Sequence, residues 1–315
     1  GTFLLSSANP TITLIYEHCT WTIIDNLENV LSYYPTTELN SLVPYDLVTP
    51  PSFSIPQVAM SADGETLAIG QPDDDNGVGA VWIYVKRECR WARRAKLVGN
   101  DYVGLPVFQG CSVALSSDGK TVAFGGYQDN GGVGAVWVFQ CINGDWVQQG
   151  PKLVNPTGNI NSGLGYSVDI SADGNTIIAG ETFNPVLNEG NGILFTRTNS
   201  VWSLETNLVG TPNASFYFQG LSVSISADGN TVALGSAADV VWIFVKDLVT
   251  NTWSQDGAPL TGPPGSYFGI SVSLSANGLR LAVGMPFYNS MAGAVSIFNK
   301  VGGVWLQDGL PFYQP

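Results

Sequence analysis

The stretch FQGCSVALSSDGKTVAFGG, from Phe108 to Gly126, returns almost unchanged as FQGLSVSISADGNTVALGS from Phe218 to Ser236. Its four-residue core occurs as Ser61-Ala62-Asp63-Gly64, Ser116-Ser117-Asp118-Gly119, Ser171-Ala172-Asp173-Gly174, Ser226-Ala227-Asp228-Gly229 and Ser275-Ala276-Asn277-Gly278, at intervals of 55, 55, 55 and 49 residues. A weaker sixth copy, Ser7-Ala8-Asn9-Pro10 followed by Thr11-Ile12-Thr13-Leu14-Ile15, stands 54 residues before Ser61. A fixed period of this length signals a repeat architecture.

One repeat spells out a small antiparallel sheet. Ser112-Val113-Ala114-Leu115-Ser116 alternates small with large, the period of a strand. Ser117-Asp118-Gly119-Lys120 carries hairpin-turn residues, and Thr121-Val122-Ala123-Phe124-Gly125 follows as a second strand. After a loop, Ala135-Val136-Trp137-Val138-Phe139 reads as a third strand; Asn143-Gly144 marks a turn, and Trp146 opens a fourth. The third strand is apolar on both faces, Val136 and Val138 on one, Trp137 and Phe139 on the other. A sheet with two apolar faces has to be covered on both by its neighbours.

Four-stranded units stacking on both faces and repeated six times predict an all-β fold, a six-bladed β-propeller with a degenerate first blade. Residues 1–315 then form one domain, with blades at about 1–50, 57–105, 110–160, 165–215, 220–264 and 268–315. In the first blade Trp21-Thr22-Ile23-Ile24 is the expected third strand. A parallel solenoid is disfavoured, because its turns are shorter and lack these hairpin signals. The tryptophans (Trp82, Trp91, Trp137, Trp146, Trp305) are expected to pack between blades.

The composite pattern F-x-G-x-S-V-x-[IL]-S-x-D-G-x-T-x-A-x-G, then G-A-V-W, resembles the FG-GAP repeat, the blade unit of integrin-α-type propellers. Phe-Gly stands as Phe268-Gly269 and, read with one inserted residue, as Phe108-Gln109-Gly110 and Phe218-Gln219-Gly220; Gly-x-Pro appears as Gly70-Gln71-Pro72 and Gly284-Met285-Pro286. The resemblance covers about residues 56–310. It implies the propeller fold and a ligand face formed by the loops. Its calcium-binding variant carries D-x-D-x-D-G in the first hairpin. Here that turn has a single carboxylate, too few for a cation that takes six to eight oxygens, so calcium is not carried over.

Uniform turns read as scaffold and variable loops as the working surface. The second-to-third-strand loops and the links between blades share one face, and the candidate ligand residues lie there: Asp73, Asp74, Asp75, Tyr127, Asp129, Tyr217, Tyr267, Phe287 and Tyr288. Asp73-Asp74-Asp75-Asn76-Gly77 is the densest acidic cluster, but its spacing fails the calcium-loop template, and neither metal nor cofactor is expected. Six of the 12 lysines and arginines fall between positions 86 and 96: Lys86, Arg87, Arg90, Arg93, Arg94 and Lys96. On a chain of net charge −13 this hairpin is a docking patch for an acidic surface, a second copy of the chain included.

The net charge opposes nucleic-acid binding, and no apolar run is long enough to span a membrane as a helix. Of Cys19, Cys89, Cys111 and Cys141 none forms a CxxC pair; buried thiols are the first expectation, one or two disulfides the second. With one histidine, His18, and no nucleophile elbow or phosphate loop, no catalytic residue is assigned. The expected function is a non-enzymatic binding or adhesion module, extracellular or on the surface of a cell or virion, that takes a protein or glycan ligand. The alternative is a self-assembling structural subunit. Asn213-Ala214-Ser215 is a glycosylation sequon on the loop face.

Overall fold

The computed structural model describes residues 2–5, 12–17, 20–24, 30–33, 57–87, 90–184, 189–212 and 218–313. His18, Cys19, Cys89, Asn213 and Tyr217 lie outside them. The fold is all-β, six antiparallel sheets in chain order. The first sheet, described in its backbone, comprises β1 (Thr2–Leu5), β2 (Ile12–Glu17), β3 (Thr20–Ile24) and β4 (Val30–Tyr33). The second comprises β5 (Gln57–Met60), β6 (Thr66–Gln71), β7 (Ala80–Arg87) and β8 (Arg90–Leu97). The third has β9 (Val113–Leu115), β10 (Thr121–Gly126), β11 (Ala135–Ile142) and β12 (Asp145–Gln148). The fourth has β13 (Leu164–Ile170), β14 (Thr176–Asn184), β15 (Glu189–Thr198) and β16 (Val201–Leu208). The fifth has β17 (Ser222–Ile225), β18 (Thr231–Gly235), β19 (Val240–Asp247) and β20 (Thr252–Gln255), and β21 (Leu260–Thr261) pairs with the start of β19. The sixth has β22 (Ser271–Leu274), β23 (Arg280–Met285), β24 (Ala294–Val301) and β25 (Val304–Gln307).

The two-faced third strand does what its pattern dictates. Trp137 and Phe139 pack with Val81, Ile83 and Leu97 of the second sheet, while Val136 and Val138 pack with Ile177 and Ile193 of the fourth. The alternation continues: Ile178 and Leu194 join Val232 and Trp242, then Ala233, Val241 and Ile243 join Leu281 and Phe298. Each large side chain buried this way contributes about 1.5–3 kcal/mol.

Two repeated stitches join successive sheets. In every Ser-Ala-Asp-Gly turn the serine hydroxyl donates to the aspartate, or to Asn277 in the last copy, and accepts from the amide five residues on; in the third sheet these are Ser116 Oγ to Asp118 at 2.7 Å and Thr121 N–H to Ser116 Oγ at 2.9 Å. The turns also bond to one another. Ala62 N–H donates to Ser117, Ser117 to Ala172, Ala172 to Ala227 and Ala227 to Ala276, each at 2.9–3.0 Å. Uniform turns are therefore a single hydrogen-bonded ladder. At the other end of the first strands, Ser112, Ser167 and Ser222 each donate at 2.8 Å to a glycine carbonyl of the next sheet, Gly165, Gly220 and Gly269. Gly70, Gly125, Gly180 and Gly235 lie against the glycine carbonyls of the next sheet, where a Cβ would collide.

The Phe-x-Gly reading needs a correction. Phe108, Phe218 and Tyr267 all sit at positive φ (61°, 49° and 57°), two residues before Gly110, Gly220 and Gly269. The residues between, Gln109, Gln219 and Phe268, are all buried. Thus Phe268 corresponds to the glutamines, and no residue is inserted. The glutamines bond Gly99 and Gly210 as a strand neighbour would, Gly99 N–H donating to Gln109 Oε1 at 2.7 Å and Gln109 Nε2 to Gly99 O at 3.2 Å. Phe268 fills the same place against Gly262 by packing.

The loops after β6, β10 and β23 form four-residue turns, α1 (Asp74–Gly77), α2 (Asp129–Gly132) and α3 (Tyr288–Met291). Each holds two successive left-handed residues: Asp75-Asn76, Asn130-Gly131 and Asn289-Ser290. Asn, Asp and Gly tolerate that conformation at least cost. Among the described residues no helix is long and apolar enough to cross a membrane.

Candidate functional site

The first strands of the second to fifth sheets, with Ile270 at the start of the sixth, line an open cavity of about 670 Å³. Gln57, Val113, Val168, Val223 and Ile270 each supply part of its wall. Ser112, Ser167 and Ser222 line it as well, but their hydroxyls are already given to the glycine carbonyls. Pro72, Asp73, Phe108 and Tyr127 come from the loops and links, and Tyr166 from the start of β13. The Phe108 ring stacks on Tyr127 at 5.6 Å between centroids, and Tyr127 meets Tyr166 edge-on at 5.5 Å.

Burial raises the phenol of Tyr127 above its ordinary range, helped by Cys111, Tyr166 and Asp73, so it is a neutral hydrogen-bond donor at physiological pH. Cys111 also faces the cavity. Desolvation pushes its thiol up to about 11, which leaves it a protonated, weakly nucleophilic group. Cys111 and Cys141 are free thiols.

The loop residues picked out by sequence divide into four groups. Asp73 and Tyr127 meet at the cavity. Asp74 and Asp129 do not face a ligand: Asp74 is 1% exposed and pairs with Lys96 Nζ at 2.6 Å, and Asp129 is fully buried and pairs with Lys152 Nζ at 2.6 Å. Asp129 also accepts the Val103 amide at 2.7 Å, fastening the link to the loop. Asp75 points outward. Tyr267 and Phe287 form a second aromatic pair at 4.7 Å, both more than 40% exposed, with Tyr288 against Tyr313 beside it at 5.7 Å. Sequence reading missed Phe108, Cys111 and Tyr166 as cavity residues. The repeat register was the available signal, since each stands within four residues of a clasp serine, Ser112 or Ser167.

The basic hairpin is partly spent inside the molecule. Lys96, besides its ion pair, lies over the Trp82 ring at 4.9 Å. Arg94 donates to the Gly144 carbonyl of the next sheet at 2.6 and 3.1 Å. Lys86 approaches Glu65 at 4.0 Å. Arg87 and Arg90 remain exposed at the hairpin tip, and Arg93 is exposed farther along β8. Among the described residues no three His, Cys, Asp or Glu side chains gather in a metal-ligating group.

Neither a family model nor a curated protein matches the chain. Among solved structures, a functionally unknown protein from Desulfotomaculum acetoxidans is similar with a TM-score of 0.52 and 14% identity, over 94% of this chain and 80% of that one. At that identity the likeness bears on fold alone.

Proposed function

We propose that the chain is a six-bladed β-propeller of the FG-GAP type, and that it acts as a non-enzymatic binding module outside the cell or on a particle surface. The observation that carries this reading is the cavity: first strands of successive sheets converge on it, and its wall combines Asp73, Phe108, Tyr127 and Tyr166. Concave sites with aromatic walls and few polar groups are where proteins take up ligands. The repeated stitches between sheets support a radial arrangement, with β1–β4 as the blade that completes the ring. The ligand is a protein or glycan that sets a side chain or sugar ring into the mouth, against Tyr127 and Tyr166. The high thiol pKa of Cys111 supports binding over nucleophilic catalysis.

Self-assembly is the second reading, favoured by the exposed Arg87 and Arg90 on an acidic chain. The internal engagement of Arg94 and Lys96 weakens it.

The test is selection on a printed glycan panel and a displayed peptide library, with Tyr127→Ala and Tyr166→Ala variants in parallel. Truncating a central aromatic anchor weakens binding by about 2 kcal/mol, roughly 30-fold. The reading fails if no ligand of either class is selected, or if selected ligands bind both variants as tightly as the parent.

A further inference from the structure

The aromatic cavity is lopsided in charge. Among the described residues of its wall Asp73 alone is charged at neutral pH, and no lysine, arginine or histidine joins it. Asp73 is half-buried, and its charge reaches Tyr127, whose phenol it helps to keep protonated. The wall has little to offer an anion. Ser112, Ser167 and Ser222 spend their single hydroxyl protons on glycine carbonyls, and the Cys111 thiol donates to Gly165 O at 3.4 Å. Only the neutral phenols and the Gln57 amide are left to donate. The chain as a whole carries −13, a field that draws cations to the mouth.

The rings set the shape of the guest. Phe108 and Tyr127 stack at 5.6 Å with 22° between their planes, which leaves no gap for a flat group between them. Tyr166 stands across Tyr127 at 67°. The two phenols therefore make a corner rather than a slot, and Tyr166 is 43% exposed, so the corner is open to solvent. A planar guanidinium stacks flat on a ring or forks onto a carboxylate. A rounded ammonium lies in a corner and meets two negative ring faces at once. The molecule already holds its own ammonium groups with this combination. Lys96 lies over the Trp82 ring at 4.9 Å and pairs with Asp74; Lys152 lies over Trp137 at 6.0 Å and pairs with Asp129. The cavity repeats ring and carboxylate with no lysine in its wall.

We propose, resting on the reading of this cavity as the binding site, that it takes an organic ammonium group of the ligand, seated against Tyr127 and Tyr166 and balanced by Asp73. On a protein ligand the group is a lysine side chain; on a glycan it is an amino sugar. Phe108 fixes the Tyr127 ring before the guest arrives, which lowers the cost of ordering the site.

Saturation-transfer NMR titration of the whole chain isolates the charge, using choline and its neutral isostere with carbon in place of nitrogen. Choline should bind with a Kd of about 10⁻³ M and about tenfold more tightly than the isostere. Tyr166→Ala should weaken choline about tenfold, and Asp73→Asn should bring choline and isostere close together. Two further pairs separate the sources: Nα-acetyl-lysine methylamide against its Nε-acetyl form, and glucosamine against N-acetylglucosamine. Whichever ammonium outbinds its neutral partner names the carrier, and a response to choline alone upholds a methylated ammonium. Choline bound no more tightly than its isostere overturns the proposal while leaving an apolar binding site in place. So does a neutral or anionic ligand that the panels select and Tyr127→Ala releases. No binding of choline at about 10 mM, tenfold above the expected Kd, overturns it too, and the panel selection alone then judges the cavity as a binding site. The comparison of choline with its isostere uses the unaltered chain and holds whether or not the variants fold.

Discussion

At the scale of single residues, the molecule is most informative where one copy breaks the rule kept by the others. Asp169 on β13 is such a place. The matching residues are Ala59, Ala114, Ser224 and Ser273, so the first strands carry one carboxylate among neutral neighbours. Asp169 Oδ2 accepts the Ile225 amide at 2.9 Å and the Ser224 hydroxyl at 3.2 Å, joining the fourth and fifth sheets. Desolvation outweighs these bonds and raises its carboxyl from 3.8 to about 6. The sign follows from proton linkage. Between those values the folded protein holds a proton that the unfolded chain has released, so stability from this group falls as pH rises. Below 3.8 both states are protonated and the penalty vanishes; above about 6 it is complete. Asp169→Asn keeps an acceptor for Ile225 and removes the charge. Its Tm should exceed that of the parent at pH 7.5, with the gap closing towards pH 4. A gap independent of pH, or opposite in sign, refutes the assignment.

At the scale of elements, glycine decides how closely sheets approach. Gly125 has ordinary backbone angles, yet a Cβ there would strike the Gly165 carbonyl, a backbone atom that cannot swing aside. Gly131, at φ 70°, has open space around its missing side chain. Gly125→Ala should therefore cost about 3 kcal/mol by forcing packed sheets apart. Gly131→Ala should cost about 1 kcal/mol, the strain of a left-handed alanine. Urea denaturation measures both, and equal losses would remove steric approach as the role of Gly125. This spacing was half legible in the sequence. The period, the turns and the two-faced third strand follow from local patterns, and the described sheets obey them. The role of Gln109 did not, because it imitates a strand neighbour for Gly99, and the apparent insertion concealed its equivalence to Phe268. Nor did the burial of Asp74 and Asp129. Their lysines lie more than twenty residues away in sequence, and only the completed sheet brings them to 2.6 Å. Tyr127 and Asp73 stand in loops whose variability the sequence displays, but their meeting with Phe108 and Tyr166 requires strands of different sheets to converge.

At the scale of the whole molecule, the question is how a row of stitched sheets ends. Every turn in the ladder from Ala62 to Ala227 donates its amide to the following turn, but the Ala276 amide has no acceptor among the described residues. Among the described residues Ser271 and Gly284 likewise meet no glycine carbonyl of the kind that their counterparts in the preceding sheets engage. On the same sheet Val295 and the bridging Phe312 are exposed, whereas their counterparts Val136 and Leu153 are buried. A sheet whose two faces are both apolar has to be covered on both, so the sixth sheet presents one half of an interface. The first sheet is the repeat unit of the same chain that remains to fill it, and its strand order β1-β2-β3-β4 matches the others. If it closes the ring, the Ala276 amide gains an acceptor from the first turn, and its hydrogen exchange should be as slow as that of Ala227. If the row stays open, Ala276 exchanges faster by orders of magnitude, because an amide in no hydrogen bond has only solvent to hold it. Peptide-resolved hydrogen–deuterium exchange covering both turns distinguishes the two, and rapid exchange at Ala276 in the monomeric protein would rule out the closed propeller.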